Sequence, residues 1–442
     1  MAGIFRAYDI RGVYGVDLTA ETAYRIGRAC VTFLGDSCRK VVIGRDIRPH
    51  SEPLFTALAK GITEQGADVI DIGWCSTPMS YHANGKLGAD ASVMITASHN
   101  PAAWNGFKLC RRQAVPISGA TGIADIERIV ASGSFASTTA RTGTITTYDI
   151  LPEYAAHIAA FDHTNGKVRI AADMANGMGI WEARTLTELL DIDALFDEPD
   201  GTFPNHEANP LNVETLESLQ KRVRRGGYAF GAAFDGDADR AGFVDETGAV
   251  IPMDLVTALI AQDILATRKG VIFYDLRSSW IVKETILAAG GTPMMSRVGH
   301  AFIKQQMREH DALFAGELSG HYYFKDNYTT ESSALAVLSL ANIVSRAGKP
   351  LSALIAPLRV YCASGEINTH VAGDPRAILA GIKTAYADGN VFELDGVSVE
   401  YADWWFNVRC SNTEPLVRLN VEARSRDLMV RKRDELLARI RG

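Results

Sequence analysis

Short apolar segments alternate with amphipathic helical segments along this chain, and that alternation limits its possible folds more than any other feature. Residues 19–34 place apolar side chains on one face of a helix, and Gly35 allows the helix to end. Five further segments have the length and composition of buried strands: residues 41–43, 69–72, 168–171, 229–234 and 271–274. Such alternation predicts α/β domains with mixed, largely parallel sheets.

The 442 residues of the chain are too many for one hydrophobic core, so we expect several domains. Apolar strands that end near Asp46, Asp173 and Asp275 favour three related units, although this pattern is common among unrelated α/β proteins. Turn-rich stretches between the periodic segments indicate the boundaries. The predicted division is into three α/β domains and one C-terminal α+β domain, at residues 1–145, 146–248, 249–361 and 362–442.

Charge and apolar patterning exclude several classes of protein. The formal net charge of −7 gives no general attraction to nucleic acid or to an anionic membrane. No apolar run approaches the roughly 20 residues that span a bilayer, and the first residues lack an apolar signal segment. The six cysteines are scattered without CxxC spacing, which favours reduced, buried thiols. We therefore expect a cytoplasmic protein, a monomer or weak dimer, that binds neither nucleic acid nor membranes.

Ser98 lies directly after a further strand candidate, residues 91–95. In open α/β sheets, ligands bind at the carboxyl ends of the strands, where this serine would lie. A serine acts as a nucleophile or phosphate carrier when a basic or electrophilic group is near, and His99, Asn100 and Lys108 are candidates. The alternative is that Ser98 and Asn100 only stabilise a turn.

The dipeptide Asn105-Gly106 is typical of a tight turn. A turn there would project Lys108 toward the same site as Ser98.

Residues 235–240 place Asp235, Asp237 and Asp239 on one loop after an apolar strand. Their mutual repulsion is costly without a cation, and carboxylate oxygens prefer Mg²⁺, Mn²⁺ or Ca²⁺ to softer metals. A phosphate oxygen or water would complete an octahedral Mg²⁺ site. A solvated acidic turn is the main alternative; an EF-hand is disfavoured because Arg240 occupies the position that needs glycine.

Two later loops carry groups suited to a sugar phosphate. In residues 316–321, the side chains of Glu317, Ser319 and His321 alternate, so an extended loop would point all three the same way. That trio suits sugar hydroxyls, and an acidic surface turn is the alternative. In residues 409–415, a guanidinium stands with two hydroxyls and an amide, which suits a phosphate dianion, although a purely structural loop is also possible.

Together, the four loops resemble the four sequence signatures of the α-D-phosphohexomutase family. The matching segments are residues 96–101, 235–240, 316–321 and 409–415, in the family's order and with one in each predicted domain. Residues 5–12 are similar to the opening segment of the bacterial phosphomannomutase/phosphoglucomutase group. The resemblance implies three related α/β domains and a mobile C-terminal lid domain around a central cleft.

The resemblance also implies roles for the residues at the phosphoryl-transfer end. Ser98 would carry the phosphoryl group, and the three aspartates would hold Mg²⁺ together with one of its oxygens. Lys108 and His300 are the candidates for general acid and base catalysis. Arg11 and Arg240 would line the same end of the cleft, with Tyr8 as a substrate-binding residue.

The resemblance assigns the remaining residues to the substrate. Those implied for binding are Glu317, Ser319 and His321 on the sugar hydroxyls, and Arg409, Ser411, Asn412, Thr413 and Arg418 on the existing phosphate. Arg277, also a substrate-binding candidate, stands where several relatives have lysine, which keeps the charge but changes the donor geometry. Transfer from phospho-Ser98 would give a hexose 1,6-bisphosphate, so glucose 1,6-bisphosphate is the expected activator.

The predicted function is therefore a phosphohexomutase that interconverts the 1-phosphates and 6-phosphates of mannose and glucose. Phosphoglucosamine mutase is the alternative within the family, disfavoured because such enzymes tend to carry glutamine where Leu318 stands. A metal-dependent sugar-phosphate phosphatase would gain nothing from a clamp that rebinds the bisphosphate. A non-catalytic sugar-phosphate binding protein would not need Ser98.

Overall fold

The computed structural model describes residues 3–137, 141–410 and 416–441. Its chain forms two compact units, each of which is described by itself. The first unit comprises residues 1–251, 299–314 and 319–352, and the second comprises residues 252–298, 315–318 and 353–442.

The N-terminal part of the first unit contains one seven-stranded sheet. Its elements are β1 (Ile10–Val13), α1 (Ala20–Leu34), β2 (Lys40–Arg45), α2 (Ser51–Glu64), β3 (Asp68–Trp74), α3 (Thr77–Lys86), β4 (Ala91–Ile95), β5 (Trp104–Arg111), β6 (Val115–Pro116), α4 (Ile123–Ser132) and β7 (Ile145–Thr147). The strand order is β1-β5-β4-β2-β3-β7, and β6 pairs with β5. Strands β4, β2, β3 and β7 run parallel, whereas β5 and β1 are antiparallel to their neighbours.

Local chemistry explains the first helix of this part. The Thr19 hydroxyl accepts a hydrogen bond from Thr22 N at the start of α1, and Gly35 ends the helix with a φ of 72°. The face of α1 that carries Ala23 and Ile26 is buried in the core with strands β2 and β4. This core holds β4 between β2 and β5, and so fixes the position of the loop that follows β4.

The central part of the first unit contains a second, five-stranded sheet. Its elements are α5 (Leu151–Ala159), β8 (Arg169–Asp173), α6 (Gly179–Leu186), β9 (Asp191–Leu195), α7 (Glu217–Val223), β10 (Phe230–Phe234), β11 (Ala241–Asp245) and β12 (Val250–Ile251). The strand order is β12-β11-β10-β8-β9, with β10 parallel to β8 and antiparallel to β11. Residues 235–240 therefore form the turn between two antiparallel strands.

The next stretch of chain contributes to both units. Its elements are α8 (Met253–Thr267), β13 (Val271–Asp275), α9 (Trp280–Ala288), β14 (Thr292–Ser296), α10 (His300–Glu309), β15 (Phe314–Gly316), β16 (Tyr322–Phe324), β17 (Thr330–Glu331), α11 (Ser333–Ala347) and α12 (Leu351–Ile355). In the second unit, β13 and β14 pair in parallel. In the first unit, β16 and β17 form an antiparallel pair, and α10 and α11 accompany them.

The C-terminal part of the second unit is an antiparallel sheet with two helices. Its elements are β18 (Cys362–Ala363), β19 (Ile367–His370), α13 (Pro375–Ala385), β20 (Asn390–Phe392), β21 (Val397–Glu400), β22 (Trp404–Cys410), β23 (Leu416–Ala423) and α14 (Arg426–Arg441). The strand order is β18-β23-β22-β21-β20, and β19 also pairs with β23. Phe406 and Val421 lie in its core together with Leu436 of α14.

The short 3₁₀ helices occupy Gly35–Ser37, Arg112–Ala114, Gly119–Thr121, Val213–Leu216 and Ala356–Leu358. All six cysteines are free thiols; four are buried as predicted, whereas Cys362 and Cys410 are partly exposed. Across the described ranges, we find no helix with the length and apolar character needed to cross a bilayer.

The fold class is confirmed: α/β parts with mixed sheets precede a C-terminal α+β part with an antiparallel sheet. The exact domain boundaries stay a prediction. The turn expected at Asn105-Gly106 is wrong, because both residues lie inside β5. Asn105 donates to the Ser51 hydroxyl over 3.0 Å, and a Cβ at Gly106 would lie 2.0 Å from Ile10 O. Asn105 therefore anchors the strand through its side chain, and Gly106 allows β1 to pack closely against β5. Lys108 also lies in β5, so it reaches the site from a strand and not from a turn.

Candidate active site

Ser98 lies in the loop after β4, and its side chain faces the aspartate loop of the second sheet. The residue is 1% exposed and has a φ of +52°. Its Oγ donates to Asp235 Oδ2 over 2.8 Å and lies 3.2 Å from His99 Nδ1. Thr96 Oγ1 accepts from Ser98 N over 2.9 Å. The bond to Thr96 fixes part of the Ser98 backbone, and the Ser98 hydroxyl points toward a carboxylate.

The three aspartates of the β10–β11 turn converge and are all buried. One carboxylate oxygen from each of Asp235, Asp237 and Asp239 lies within 4.8 Å of the others. Thr77 Oγ1 donates to Asp237 Oδ2 over 2.5 Å, whereas Asp237 Oδ1 has no hydrogen-bond partner among the described residues. The solvated acidic turn is therefore wrong, and an EF-hand is wrong because strands rather than helices flank the turn.

This cluster fits a divalent cation with oxygen ligands. Burial and the neighbouring charges of Asp237 and Asp239 raise the pKa of Asp235 to about 8, so three carboxylates without a cation are in electrostatic conflict. The buried Asp237 Oδ1 without a partner is available as a ligand atom. With the Ser98 hydroxyl beside Asp235, the donor set consists only of oxygens, which hard cations such as Mg²⁺ prefer.

Lys108 and Arg240 bring positive charge to the cluster. Lys108 Nζ pairs with Asp237 Oδ2 over 2.5 Å and also with Asp239. Burial lowers the pKa of Lys108, but the charges of Asp237 and Asp239 outweigh it and raise the pKa above its ordinary value. Arg240 N donates to Asp235 Oδ1 over 3.2 Å, and its Nε lies 3.8 Å from Asp235 Oδ2. Both predicted cations therefore contact the aspartates.

Arg11 extends from β1 to the Ser98 loop. Its Nε donates to Asp9 Oδ2 over 2.7 Å, and its Nη1 donates to Asn100 Oδ1 over 2.5 Å and to Ala97 O over 3.1 Å. Because these partners flank Ser98, Arg11 supports the loop as well as lining the site.

Three histidines and Tyr8 surround the cluster. His321 Nε2 lies 3.3 Å from Asp239 Oδ1 and accepts from Arg240 Nε over 3.2 Å. The His300 ring lies 6.3 Å from the His321 ring and 5.7 Å from the Tyr8 ring, measured between centroids. Burial and the charges of Lys304 and Lys108 hold the pKa of His300 well below its ordinary value. Its imidazole is therefore neutral near pH 7 and able to accept a proton.

The loop predicted as extended around Ser319 is a turn. Residues 318 and 319 form the turn, and Gly320 follows with a φ of +83°. In the first unit, Ser319 Oγ and His321 Nδ1 lie 3.0 Å apart. In the second unit, Glu317 is buried, and Leu318 N donates to Asp275 Oδ2 over 2.7 Å. This hydrogen bond joins the backbone at the turn to the side chain of a residue distant in sequence. The alternation of residue types does not reveal such a contact.

The second unit gathers three arginines around Glu366. Arg409 Nη2 lies 2.6 Å, Arg418 Nη1 3.1 Å and Arg277 Nη1 3.5 Å from the carboxylate oxygens of Glu366. Burial raises the pKa of Glu366, but the charges of Arg409 and Arg277 outweigh it and lower the pKa to about 2. Arg409 and Arg418 face each other across β22 and β23. We call these four residues the arginine cluster.

Arg277 is held by a second carboxylate, since its Nη2 donates to Asp275 Oδ2 over 2.7 Å and its Nε to Asp275 Oδ1 over 3.1 Å. Glu366 was missed in the sequence because it stands alone between Gly365 and Ile367. Only strand pairing places it beside the arginines. The predicted phosphate-binding residues Ser411, Asn412 and Thr413 lie outside the described residues.

A buried cluster beside His300 was also missed. Lys304 Nζ donates to Glu331 Oε1 over 3.0 Å and to Tyr81 Oη over 3.1 Å, and both Lys304 and Glu331 are fully buried. His300 Nδ1 lies 3.9 Å from Glu331 Oε1. The i,i+4 spacing of His300 and Lys304 on α10 was a sequence signal that they share a helix face.

Four family models match the chain in order. They are described as phosphoglucomutase/phosphomannomutase alpha/beta/alpha domain I at residues 2–137, domain II at residues 152–248, domain III at residues 252–361 and the C-terminal domain at residues 366–439. Together they cover most of the chain.

Relatives match over nearly the full length. The chain is 40% identical to a phosphomannomutase of Salmonella typhimurium, over 95% of this chain and 94% of that protein. It is also 40% identical to a phosphomannomutase of Methanocaldococcus jannaschii, over 98% and 96%. The crystal structure of a phosphoglucomutase/phosphomannomutase family protein from Burkholderia thailandensis has a TM-score of 0.91 and 32% identity, covering 99% of this chain and 96% of that one. The chain therefore belongs to the phosphoglucomutase/phosphomannomutase family of phosphohexomutases.

Proposed function

We propose that this protein interconverts hexose 1-phosphates and hexose 6-phosphates through phospho-Ser98, acting on both mannose and glucose. The observation that carries this proposal is the Ser98 hydroxyl, which contacts Asp235 over 2.8 Å within the buried three-aspartate cluster. A serine in that position combines a nucleophilic oxygen with the ligands for a cation that neutralises phosphate charge.

The first half-reaction moves the phosphoryl group from the protein to the sugar. The free C6 hydroxyl of a hexose 1-phosphate attacks phosphorus in line, the bond between phosphorus and Ser98 Oγ breaks, and a bond to O6 forms. The C6 hydroxyl proton passes to the general base, and the general acid gives a proton to Ser98 Oγ as it leaves; the proposed base and acid are His300 and Lys108. The hexose 1,6-bisphosphate then turns over, and Ser98 Oγ attacks the C1 phosphate in the same manner, which restores phospho-Ser98 and yields the 6-phosphate.

Asp235, Asp237 and Asp239 are the proposed ligands of Mg²⁺. When bound there, Mg²⁺ supplies charge neutralisation for the phosphoryl oxygens. Lys108 and Arg240, both in contact with the aspartates, add positive charge where the phosphoryl group would be transferred. Arg11 keeps the Ser98 loop in register through its contacts to Ala97 and Asn100.

The sequence names Lys108 and His300 as candidates for general acid and base catalysis, and His300 is the proposed general base. Its pKa lies well below the ordinary value because of burial and the neighbouring Lys304, so the imidazole is in the neutral form that a general base requires. The charges of Asp237 and Asp239 keep Lys108 protonated at rest, and Lys108 is assigned to charge stabilisation and to protonation of the leaving Ser98 Oγ.

The arginine cluster is the proposed binding site, or clamp, for the phosphate group that the substrate already carries. Arg409 and Arg418 contact Glu366 through one face of β22 and β23, and a phosphate dianion can accept paired charge-assisted bonds from the same donors. On the sequence prediction alone, the phosphate is also bound by Ser411, Asn412 and Thr413. The buried Glu317 is proposed to bind sugar hydroxyls. One clamp and one transfer site then serve both half-reactions.

The relatives named phosphomannomutase support mannose phosphates as substrates. Mannose and glucose differ only at C2, and neither the clamp nor the transfer step involves C2, which supports activity on both. Phosphoglucosamine is the second candidate substrate within the family. We also keep the cytoplasmic location and the monomer or weak dimer as proposals, and light scattering of the purified chain tests the latter.

A coupled assay tests the function. Mannose, glucose and N-acetylglucosamine 1-phosphates are each supplied with Mg²⁺ and a trace of glucose 1,6-bisphosphate, and the 6-phosphates are measured. We expect product from the first two. Ser98→Ala should abolish it, whereas Ser339→Ala should not, because the Ser339 hydroxyl donates to Leu335 O of its own helix. Release of inorganic phosphate without a 6-phosphate would instead indicate a phosphatase.

A further inference from the structure

The Ser98 loop needs an external support that its own sequence does not supply. Ser98 has a φ of +52°, the left-handed region that is unfavourable for a residue with a Cβ. Residues 98–101 lie beyond the end of β4, so their carbonyls are outside the strand pairing of that sheet. Unless something binds these carbonyls, the loop can relax and turn the hydroxyl away from Asp235.

Arg48 binds them. Its Nη2 donates to Ser98 O over 2.8 Å and to Asn100 O over 2.7 Å. Its Nη1 donates to Pro101 O over 2.8 Å and to Trp104 O over 3.1 Å. The Arg48 side chain has no exposed surface, so water does not compete for these bonds.

The guanidinium is itself anchored to the sheet. Its Nε donates to Asp46 Oδ2 over 3.1 Å, so all five guanidinium N–H groups have acceptors. Asp46 Oδ1 accepts from the Ser51 hydroxyl over 2.6 Å, which ties the pair to the start of α2. The Phe203 ring covers the guanidinium, with its centroid 5.0 Å away. The Arg48 guanidinium is therefore fixed both to Asp46 and to the carbonyls that it binds.

We infer that Arg48 is a positioning residue for phosphoryl transfer: by binding three carbonyls of the Ser98 loop and the Trp104 carbonyl at the start of β5, it keeps Ser98 Oγ directed at the aspartate cluster. This inference rests on the proposed function and deepens it. In-line transfer loses about 100-fold in rate for a misplacement near 1 Å, so a loop that carries the nucleophile must be held in both its free and phosphorylated forms. Arg48 touches no reacting atom and acts only through the loop.

Lysine cannot replace this arginine. The planar guanidinium presents five donors in fixed directions, whereas a lysine ammonium has three donors on one atom and cannot span four separated carbonyls. Arg48→Lys therefore keeps the buried charge next to Asp46 but releases part of the loop.

Arg45 provides a matched control. Arg45 is the last residue of β2, is largely buried and, like Arg48, packs over an aromatic ring; its guanidinium lies 4.2 Å from the centroid of the Phe55 ring. Its partners are Asp71, over 2.6 Å, and Glu52, over 2.7 Å, so it supports the sheet rather than the Ser98 loop. Arg45→Lys thus reports the effect of the same substitution on general stability.

The experiment compares the full-length wild type, Arg48→Lys and Arg45→Lys with Mg²⁺. We measure kcat and KM for mannose 1-phosphate, and the rate at which glucose 1,6-bisphosphate phosphorylates Ser98, followed by intact mass. For Arg48→Lys, kcat and the phosphorylation rate should fall by about 10- to 100-fold with KM changed by less than about threefold, because the loss is in positioning. Arg45→Lys should stay within about threefold of wild type in both constants.

The outcomes separate the positioning role from the function. If wild type is active and Arg48→Lys matches Arg45→Lys at equal folded fraction, the positioning role is wrong and the proposed function stands. If wild type neither forms a 6-phosphate nor phosphorylates Ser98, the proposed function fails, and the role of Arg48 fails with it. If Arg48→Lys does not fold, Asp46→Asn should still lower kcat by about threefold or more with KM unchanged, because it removes the charge that anchors Arg48 Nε and leaves the carbonyl contacts of Arg48 in place. An unchanged kcat would overturn the inference.

Discussion

Gly236 of the aspartate loop packs against the backbone of Ser98, and Gly236→Ala tests how tightly the two loops must fit. A Cβ at Gly236 would lie 2.3 Å from Ser98 O. Neither loop can easily yield, because Arg48 binds Ser98 O over 2.8 Å and Met178 N donates to Gly236 O over 3.0 Å. The substitution should therefore separate Ser98 from the aspartates.

The magnitude follows from that distance. Real Cβ contacts stay above 3.0 Å, so the two loops must move apart by at least about 0.7 Å. Because a 1 Å error in alignment costs about 100-fold in rate, kcat should fall by about 10- to 100-fold. Overpacking of this kind destabilises by about 1–3 kcal/mol, so the variant should still fold.

The assay is the coupled conversion of mannose 1-phosphate, with unfolding in urea measured in parallel. Gly381→Ala is the control, since a Cβ at this position on α13 meets nothing within 4 Å. It should stabilise the protein by about 0.5–1 kcal/mol and leave kcat unchanged. A Gly236→Ala variant with wild-type kcat would refute the claim that the Ser98 and aspartate loops must be in contact for transfer.

Three further predictions concern buried charges. Burial raises the pKa of Glu182 to about 7, so its ionisation opposes folding: wild type should lose up to a few kcal/mol relative to Glu182→Gln as the pH rises from about 4.5 to about 7, and parallel stability curves would contradict this. Lys304→Met leaves Glu331 buried without its partner and should cost about 3–5 kcal/mol in urea unfolding, whereas adding Glu331→Leu should recover part of the loss. Millimolar Mg²⁺ should raise the Tm of wild type but not of Asp237→Asn, and equal shifts in both would exclude Asp237 as a ligand.

The parts of the site that the sequence predicted are those set by local pattern. Asp235 directly follows a short apolar strand, and Ser98 lies three residues after the end of another. A buried strand places the residues that follow it at the edge of its sheet. Three carboxylates within five residues must also lie close together whatever the loop conformation. These features need no knowledge of distant contacts.

The features that escaped prediction depend on contacts distant in sequence. Arg48 binds carbonyls about 50 residues away, and Glu366 meets Arg409 only through strand pairing. The pair Asn105-Gly106 has the composition of a turn, yet its side-chain anchor and the close approach of β1 place it in a strand. Here the tertiary contacts stabilise the strand by more than the local preference of Asn-Gly for a turn.

The central claim is that Ser98 carries the phosphoryl group between the two positions of the sugar. The most direct measurement is the mass and phosphorylation-site map of the dephosphorylated protein after incubation with glucose 1,6-bisphosphate and Mg²⁺. We predict one added phosphoryl group, located on Ser98, with release of hexose monophosphate in equal amount, and none on Ser98→Ala. Steady formation of mannose 6-phosphate by a protein that never carries phosphate on Ser98 would contradict the account.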